Sequence, residues 1–279
     1  MLKIILIALV IIVAGAAGVV LGPYWRFGRA IEADIGRLVA EAAGGRPTVT
    51  AEMVAALPAP VRRYLTWSGV IGKPMPGLVR LEQTGRIRSS AEAAWMALEA
   101  DEFYSTDPPG FVWRAWFPRR ATPMVLGRDE YLGGAGSILM KMLALFPVAE
   151  ESGEALAAAG LMRYLNEMMW FPAALLGDNI RWSAIDENSA EVTITDRGIT
   201  ATATFFFDDE GRPVNFRALR YNTDTRRLET WETPISAYGV FERLNVPVKG
   251  KATWKLAGGD FDYVELEITR VEYDEAVRR

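Results

Sequence analysis

The chain of 279 residues contains no cysteine and no histidine. The first absence excludes disulfides, thiolate nucleophiles, cysteine-zinc sites and a lipidated cysteine anchor. A chain of this size buries a core without covalent staples, so the missing cysteine says little about compartment. The second absence removes Ser-His-Asp and Cys-His catalysis, imidazole metal sites and the usual general base near neutral pH. What remains is carboxylate, lysine or tyrosine chemistry, or a site of oxygen ligands. Basic charge is in short supply too. The net charge is −4, and no long Lys/Arg run offsets it. Nucleic acid is therefore not an expected partner.

One long apolar run is present. Ile4 to Leu21 carries no charge, and a helix of that length spans about 27 Å, close to the ~30 Å hydrocarbon core. Tyr24 and Trp25 follow as interfacial aromatics, with Arg26 and Arg29 behind them. Residues 1–25 read as a transmembrane anchor, with the bilayer as partner through residues 4–21. A signal peptide competes with this reading, since Ala14-Gly15-Ala16 fits the small-residue cleavage rule. The apolar run continues past that site and only Lys3 precedes it, which favours the anchor.

Residues 26–76 read as a stalk and N-terminal helices. Phe27, Ile31, Ile35, Leu38 and Val39 recur at helical spacing before Gly44-Gly45. They predict a stripe packed on the main domain, with an interfacial amphipathic helix as the alternative. Thr50 is placed to cap a second helix, and Pro58 and Pro60 break the chain before a third.

From residue 77 to 279 the hydrophobic period changes to two. LVRLEQTGRIR, GFVWRAWFP, ITATATFFF, KATWKL and YVELEITR alternate apolar and polar, with turn residues between them. That pattern predicts an antiparallel sheet of ten or so strands. At about 136–177 two helical segments, SILMKMLALFPV and EALAAAGLMRYLNEMMWFPAALLG, interrupt it. With no repeat or linker in between, the fold class is α+β: a curved antiparallel sheet, or open half-barrel, with a helical insertion covering its concavity.

The second inserted segment carries the most informative polar cluster. On a helical wheel Leu161, Met162, Tyr164, Leu165, Met168, Met169 and Phe171 cover half the circumference, with Arg163, Asn166, Glu167 and Trp170 opposite. Arg163 and Glu167 read either as a solvated i,i+4 pair, as a partly buried pair lining a cavity, or as a site with a catalytic Glu167. Five of the ten methionines fall in the insertion, at 140, 142, 162, 168 and 169. Thioethers suit a surface that repacks around apolar ligands, and they also fill ordinary cores. Trp113 and Trp116, three apart in a strand, face opposite ways. Asp101-Glu102, Asp129-Glu130, Asp186-Glu187 and Asp208-Asp209 read as turn or strand-end acids without glycosidase or metal spacing. No catalytic residue, metal or cofactor is assigned. The candidate ligand-binding residues are Trp113, Trp116, Met162, Arg163, Glu167, Met168, Met169 and Trp170.

The blocks LPAPVRRYLTWSGVIG (57–72), PPGFVWRAWF (108–117), GRDEYLGGAG (127–136), LMRYLNEMMWFPAALL (161–176) and RWSAID (181–186) carry a resemblance. The chain resembles a bacterial family of membrane-anchored proteins known only as a domain of unknown function, and the RYLNE-W-P block is its most specific part. That family implies no activity or catalytic residues. The order of elements is also similar to the half-barrels of periplasmic lipoprotein carriers and mycobacterial lipid-carrying lipoproteins, which hold acyl chains in the concavity. Arg26, Arg29 and Arg37 behind the span favour a cytoplasmic main domain. The half-barrel resemblance implies an extracytoplasmic one, on a single-pass anchor in a bacterial cell membrane, and is given more weight. The expected function is a membrane-tethered, non-enzymatic module binding lipid or acyl chains. The alternatives are a carboxylate-dependent hydrolase using Glu167 or Asp129 as acid/base, and an envelope scaffolding protein.

Overall fold

A computed structural model describes residues 2–42, 47–121 and 123–277, apart from the side chains of 2–17, 19 and 20. The expected membrane span at 4–21 thus lies almost wholly outside the described side chains. Among the described residues no helix is long and apolar enough to cross a membrane.

Helix α1 (Leu2–Glu41) buries the stripe of Phe27, Ile31, Ile35 and Leu38 as its spacing requires. Two short helices follow, α2 (Ala51–Ala55) and α3 (Ala59–Ser68). The Thr50 side chain caps α2 by accepting from the Met53 amide at 3.3 Å. The next elements form an uninterrupted meander: β1 (Leu78–Ile87), β2 (Met96–Thr106), β3 (Pro109–Phe117), β4 (Val125–Leu132), β5 (Ala135–Met142) and β6 (Phe146–Ser152). Helix α4 (Glu154–Glu167) then crosses to a second meander of β7 (Ile180–Ala184), β8 (Ser189–Asp196), β9 (Ile199–Phe207), β10 (Pro213–Asn222) and β11 (Arg227–Glu232). Strands β12 (Ile235–Phe241), β13 (Leu244–Leu256) and β14 (Gly259–Tyr273) return the chain to β1.

All described pairings are antiparallel, in the order β6-β5-β4-β3-β2-β1-β14-β13-β11-β10-β9-β8-β7, with β12 on β13. The strands at the two ends of this order do not pair, so the sheet is an open half-barrel. It is strongly curled: the Tyr131 hydroxyl on β4 donates to Asp196 on β8 at 2.7 Å, linking its two wings. Helix α4 lies in the concavity between them. A Cβ at Gly136 would stand 2.5 Å from the Leu156 carbonyl oxygen, so only glycine lets β5 approach the helix this closely. Helix α1 packs on the convex side, where its stripe meets Leu78, Phe103, Val112 and Leu126.

The helical reading of SILMKMLALFPV is corrected. Those residues form β5 and the start of β6, so the insertion is helical only from Glu154. The physical reason is that both faces of β5 are covered. Ile138 and Met140 face the concavity, while Leu139 packs toward α1 and Lys141 lies over the Phe27 ring. A strand wet on neither face loses its period-two signal. Leu143 and Ala144 make the turn at φ 51° and 56°, where Asn or Gly would have announced a hairpin. Gly133-Gly134 do announce one, at φ 59° and 83° between β4 and β5.

Candidate functional site

Helix α4 begins with Glu154 in its first turn and an alanine-rich stretch, both favourable to helix. It ends at Glu167 and tightens into a 3-10 turn at Met168–Trp170. Phe171 leaves helical space ahead of Pro172, and a second 3-10 turn, Pro172–Leu176, stops at Gly177. The wheel separates an apolar from a polar half, yet both are buried, because the sheet wraps around the helix.

The polar half carries an ion cluster. Arg163 Nε donates to Glu167 Oε1 at 2.8 Å, Nη1 to Asp129 Oδ2 at 2.5 Å, and Nη2 to Glu102 Oε1 at 2.7 Å. The side chains of Arg163, Glu167 and Glu102 are 13%, 5% and 0% exposed. The solvated-pair reading therefore fails, and the pair is buried at the wall of a cavity. Gln83 Nε2 donates to Glu102 Oε2 at 2.8 Å while its Oε1 accepts from the Trp113 indole at 3.0 Å. The Tyr104 hydroxyl donates to Glu167 Oε2 at 3.2 Å. The guanidinium also lies over Phe111 and Trp113, with its carbon 4.9 and 5.2 Å from the ring centres.

Three carboxyls facing one guanidinium leave an excess of negative charge in a buried site. Burial pushes the Glu102 carboxyl well above the ordinary carboxylate range, and repulsion from Glu167 adds to it, against the pull of Arg163. Burial raises Glu167 in the same way, while Arg163 and a hydrogen bond with Glu102 oppose it. Burial alone would lower Arg163, but Glu102, Glu167 and Asp129 outweigh it and hold the guanidinium firmly charged. The Glu102–Glu167 pair is thus disposed to retain a proton.

Beside the cluster lies a cavity of about 480 Å³. Its size is that of pockets for small ligands, ~300–1,000 Å³. Of the sequence candidates, Trp113, Arg163, Glu167, Met169 and Trp170 line it. Met162 and Met168 are buried in the core beside it, and Trp116 lies on the convex side near α1. There Arg114 and Arg120 stack on Trp116 at 5.0 and 4.1 Å. Trp231, Trp254, Tyr263 and Arg220 complete the wall, and of these Tyr263 and Arg220 were not singled out by sequence. The cavity reaches Arg88 and Ser89 after β1 and Thr223 and Asp224 after β10, so it opens at that end of the barrel. Helix α3 closes the other end, with Tyr64 donating to the Met169 carbonyl.

Two acid pairs read as turn acids are corrected. Asp101-Glu102 and Asp129-Glu130 lie inside β2 and β4. Strand alternation splits each pair: Glu102 and Asp129 face Arg163, whereas Asp101 and Glu130 bond to arginines of the other face. Glu102 shares its face with Leu98, Ala100 and Tyr104, and an acid at that parity was the available signal. Among the described residues no group of three or more His, Cys, Asp or Glu has the arrangement of a metal site.

A family profile matches residues 47–266, which include all of the sheet but its last strand's end, together with α4. The chain belongs to DUF6544, a family of unknown function. The uncharacterised-family resemblance read from the sequence is thereby shown, and all five of its blocks fall in the DUF6544 segment. No curated protein matches the chain. Among solved structures, a DUF1329 family protein from Desulfovibrio piger is similar at 11% identity and TM-score 0.47, covering 78% of this chain and 92% of that one. A LolA superfamily protein from Nitrosomonas europaea is similar at 11% identity and TM-score 0.43, covering 81% and 94%. The lipoprotein LppX of Mycobacterium tuberculosis is similar at 12% identity and TM-score 0.24, covering 80% and 96%. Likeness at this level carries no functional argument, and the function of the DUF6544 chain rests on its own site.

Proposed function

We propose that this protein is a membrane-tethered binding module that holds an apolar ligand, a lipid or acyl chain, in its half-barrel. The observation that carries the reading is the cavity itself: about 480 Å³, walled by Trp113, Trp170, Trp231, Trp254 and Met169, and open at one end. Aromatic and thioether walls suit flexible apolar ligands. The tether is supported by the charge-free run ahead of Tyr24 and by what surrounds that end of α1. Tyr24 donates to the Pro123 carbonyl at 2.8 Å, and Lys141 covers Phe27. The neighbouring hairpin tip exposes Leu143, Leu145, Phe146 and Val148, each between 46% and 58%, with Met124 at 59% beside it. The antiparallel register puts this tip at the end of the barrel where the cavity opens. An apolar rim of this kind suits contact with a bilayer. An extracytoplasmic main domain remains part of the proposal. Mass spectrometry of lipid extracted from the purified full-length chain tests the reading: about one bound lipid per chain is expected, and a ligand-free chain refutes it.

One observation favours a second reading. Glu102, Asp129 and Glu167 converge with two raised carboxyls, the condition for carboxylate acid/base chemistry, and Asp129 and Glu167 border the cavity. Against it, Arg163 and Tyr104 engage both Glu167 oxygens. Hydrolysis of acyl esters that Glu167→Gln abolishes without loss of ligand binding supports a hydrolase; no turnover by the wild type excludes it for those substrates.

A further inference from the structure

Of the three arginines that line the cavity, Arg88, Arg163 and Arg220, the last two are in opposite electrostatic situations. Arg163 is saturated by three carboxyls. Arg220 shares its face of β10 with the buried Phe216 and Ala218, so it too points into the concavity. Its carbon lies over the rings of Trp231 and Trp254, at 4.7 and 5.8 Å. Its Nε donates to the Ala159 carbonyl on α4 at 3.1 Å. Among the described residues it makes no ion pair, and its terminal amines donate to no protein acceptor. Glu229 stands opposite it in the β10–β11 ladder without pairing to it.

An inward arginine is rarely left without a carboxylate, because desolvating an uncompensated charge is costly. Here the stem and Nε are fixed by the Trp faces and the helix carbonyl, which leaves the planar fork of terminal amines presented to the cavity. That fork matches the two oxygens of a carboxylate or phosphate. The other charges along the wall do not compete. Asp129 and Glu167 are held by Arg163, and Asp224 is exposed in the turn after β10. Arg88 spends donors on the carbonyls of Asp262 and Ala91, each at 2.7 Å, while Lys249 pairs with Glu267 at 3.0 Å and Lys251 with Asp262 at 2.6 Å.

We infer that the ligand is an anionic amphiphile, with its hydrocarbon part along the tryptophan wall and its carboxylate or phosphate on Arg220. This rests on the proposal that the cavity holds an apolar ligand.

The test loads the purified, delipidated full-length chain with an equimolar mixture of stearic acid, its methyl ester and stearoyl lysophosphatidic acid. Adducts are counted by native mass spectrometry. The wild type is expected to prefer at least one acid over the ester by about tenfold, the worth of one charge-assisted hydrogen bond. The preferred acid identifies the head group. Arg220→Met is expected to bring the acid-to-ester ratio down to parity, and Arg220→Lys to keep part of the preference. Equal uptake of ester and acids by the wild type, or an acid preference that survives in Arg220→Met, overturns the inference while leaving the apolar site intact. Uptake of none of the three refutes the apolar site itself. The wild-type comparison stands whether or not the Met variant folds.

Discussion

Asp101 and Glu102 are consecutive residues of β2 that sit in ion clusters of inverse composition on opposite faces of one sheet. On the convex face Asp101 takes Arg120 at 2.6 Å, Arg114 at 2.9 Å and Arg80 at 3.7 Å. On the concave face Arg163 takes Glu102, Asp129 and Glu167. The convex cluster reaches α1 through the Arg114–Glu32 pair, and the concave one holds α4. Strand β2 thereby fixes both helices, one on each side of the wall that bounds the cavity.

Replacing Arg163 by methionine leaves three buried carboxyls without their counter-charge. Breaking a buried pair from one side costs about 3–5 kcal/mol, whereas an exposed pair is worth less than about 1 kcal/mol. Urea unfolding of Arg163→Met is expected to show the larger loss. A loss of a few tenths would mean the cluster does not hold α4.

The raised carboxyls of Glu102 and Glu167 set a pH dependence with a definite sign. The folded state binds these protons more tightly than the unfolded chain does. Their contribution to stability is therefore full below the ordinary glutamate value of about 4.3 and is lost as pH rises through the raised folded values. Glu102→Gln replaces the retained proton with a permanently neutral amide. Its melting temperature relative to the wild type is expected to rise from pH 5 to pH 8; parallel curves for the two proteins contradict the assignment.

Gln83 joins Trp113 to Glu102. Gln83→Leu removes both bonds and strands a buried indole N–H and a carboxylate oxygen, at about 1–3 kcal/mol for each unsatisfied group. Thermal melts measure the loss, and a tryptophan emission shift reports the freed indole. An unchanged melt would show that the network is not structural.

The absence of cysteine makes site-specific labelling clean. In the full-length chain reconstituted into vesicles, an environment-sensitive dye on Phe146→Cys at the hairpin tip is expected to shift to the blue. The same dye on Glu275→Cys, at the opposite end of the barrel, is expected not to shift. Equal spectra at the two positions contradict bilayer contact by the tip.

The parts of the fold legible in sequence are those wet on one face. The Thr-rich alternation of β9 and the stripe of α1 follow from burial on a single side. Strand β5 and the tip after it escaped because α1 and the cavity cover both faces, and because Leu143 and Ala144 occupy turn positions that Gly or Asn usually mark. In the site, Arg163 and Glu167 are readable as neighbours one helical turn apart. Glu102, Asp129 and Arg220 come from strands distant in sequence, and only the curl of the sheet brings them to the same concavity.

The central claim is that a ligand occupies the concavity, and a cavity-filling substitution tests it most directly. Ala252 lines the cavity wall on β13, and Ala252→Trp places an indole in that space. The measurement is the amount of co-purifying lipid per chain in the wild type and in this variant, each checked for an intact melt. About one lipid in the wild type and little in the filled variant is the predicted result. A wild type without lipid, or a folded variant that retains the same amount, contradicts the claim.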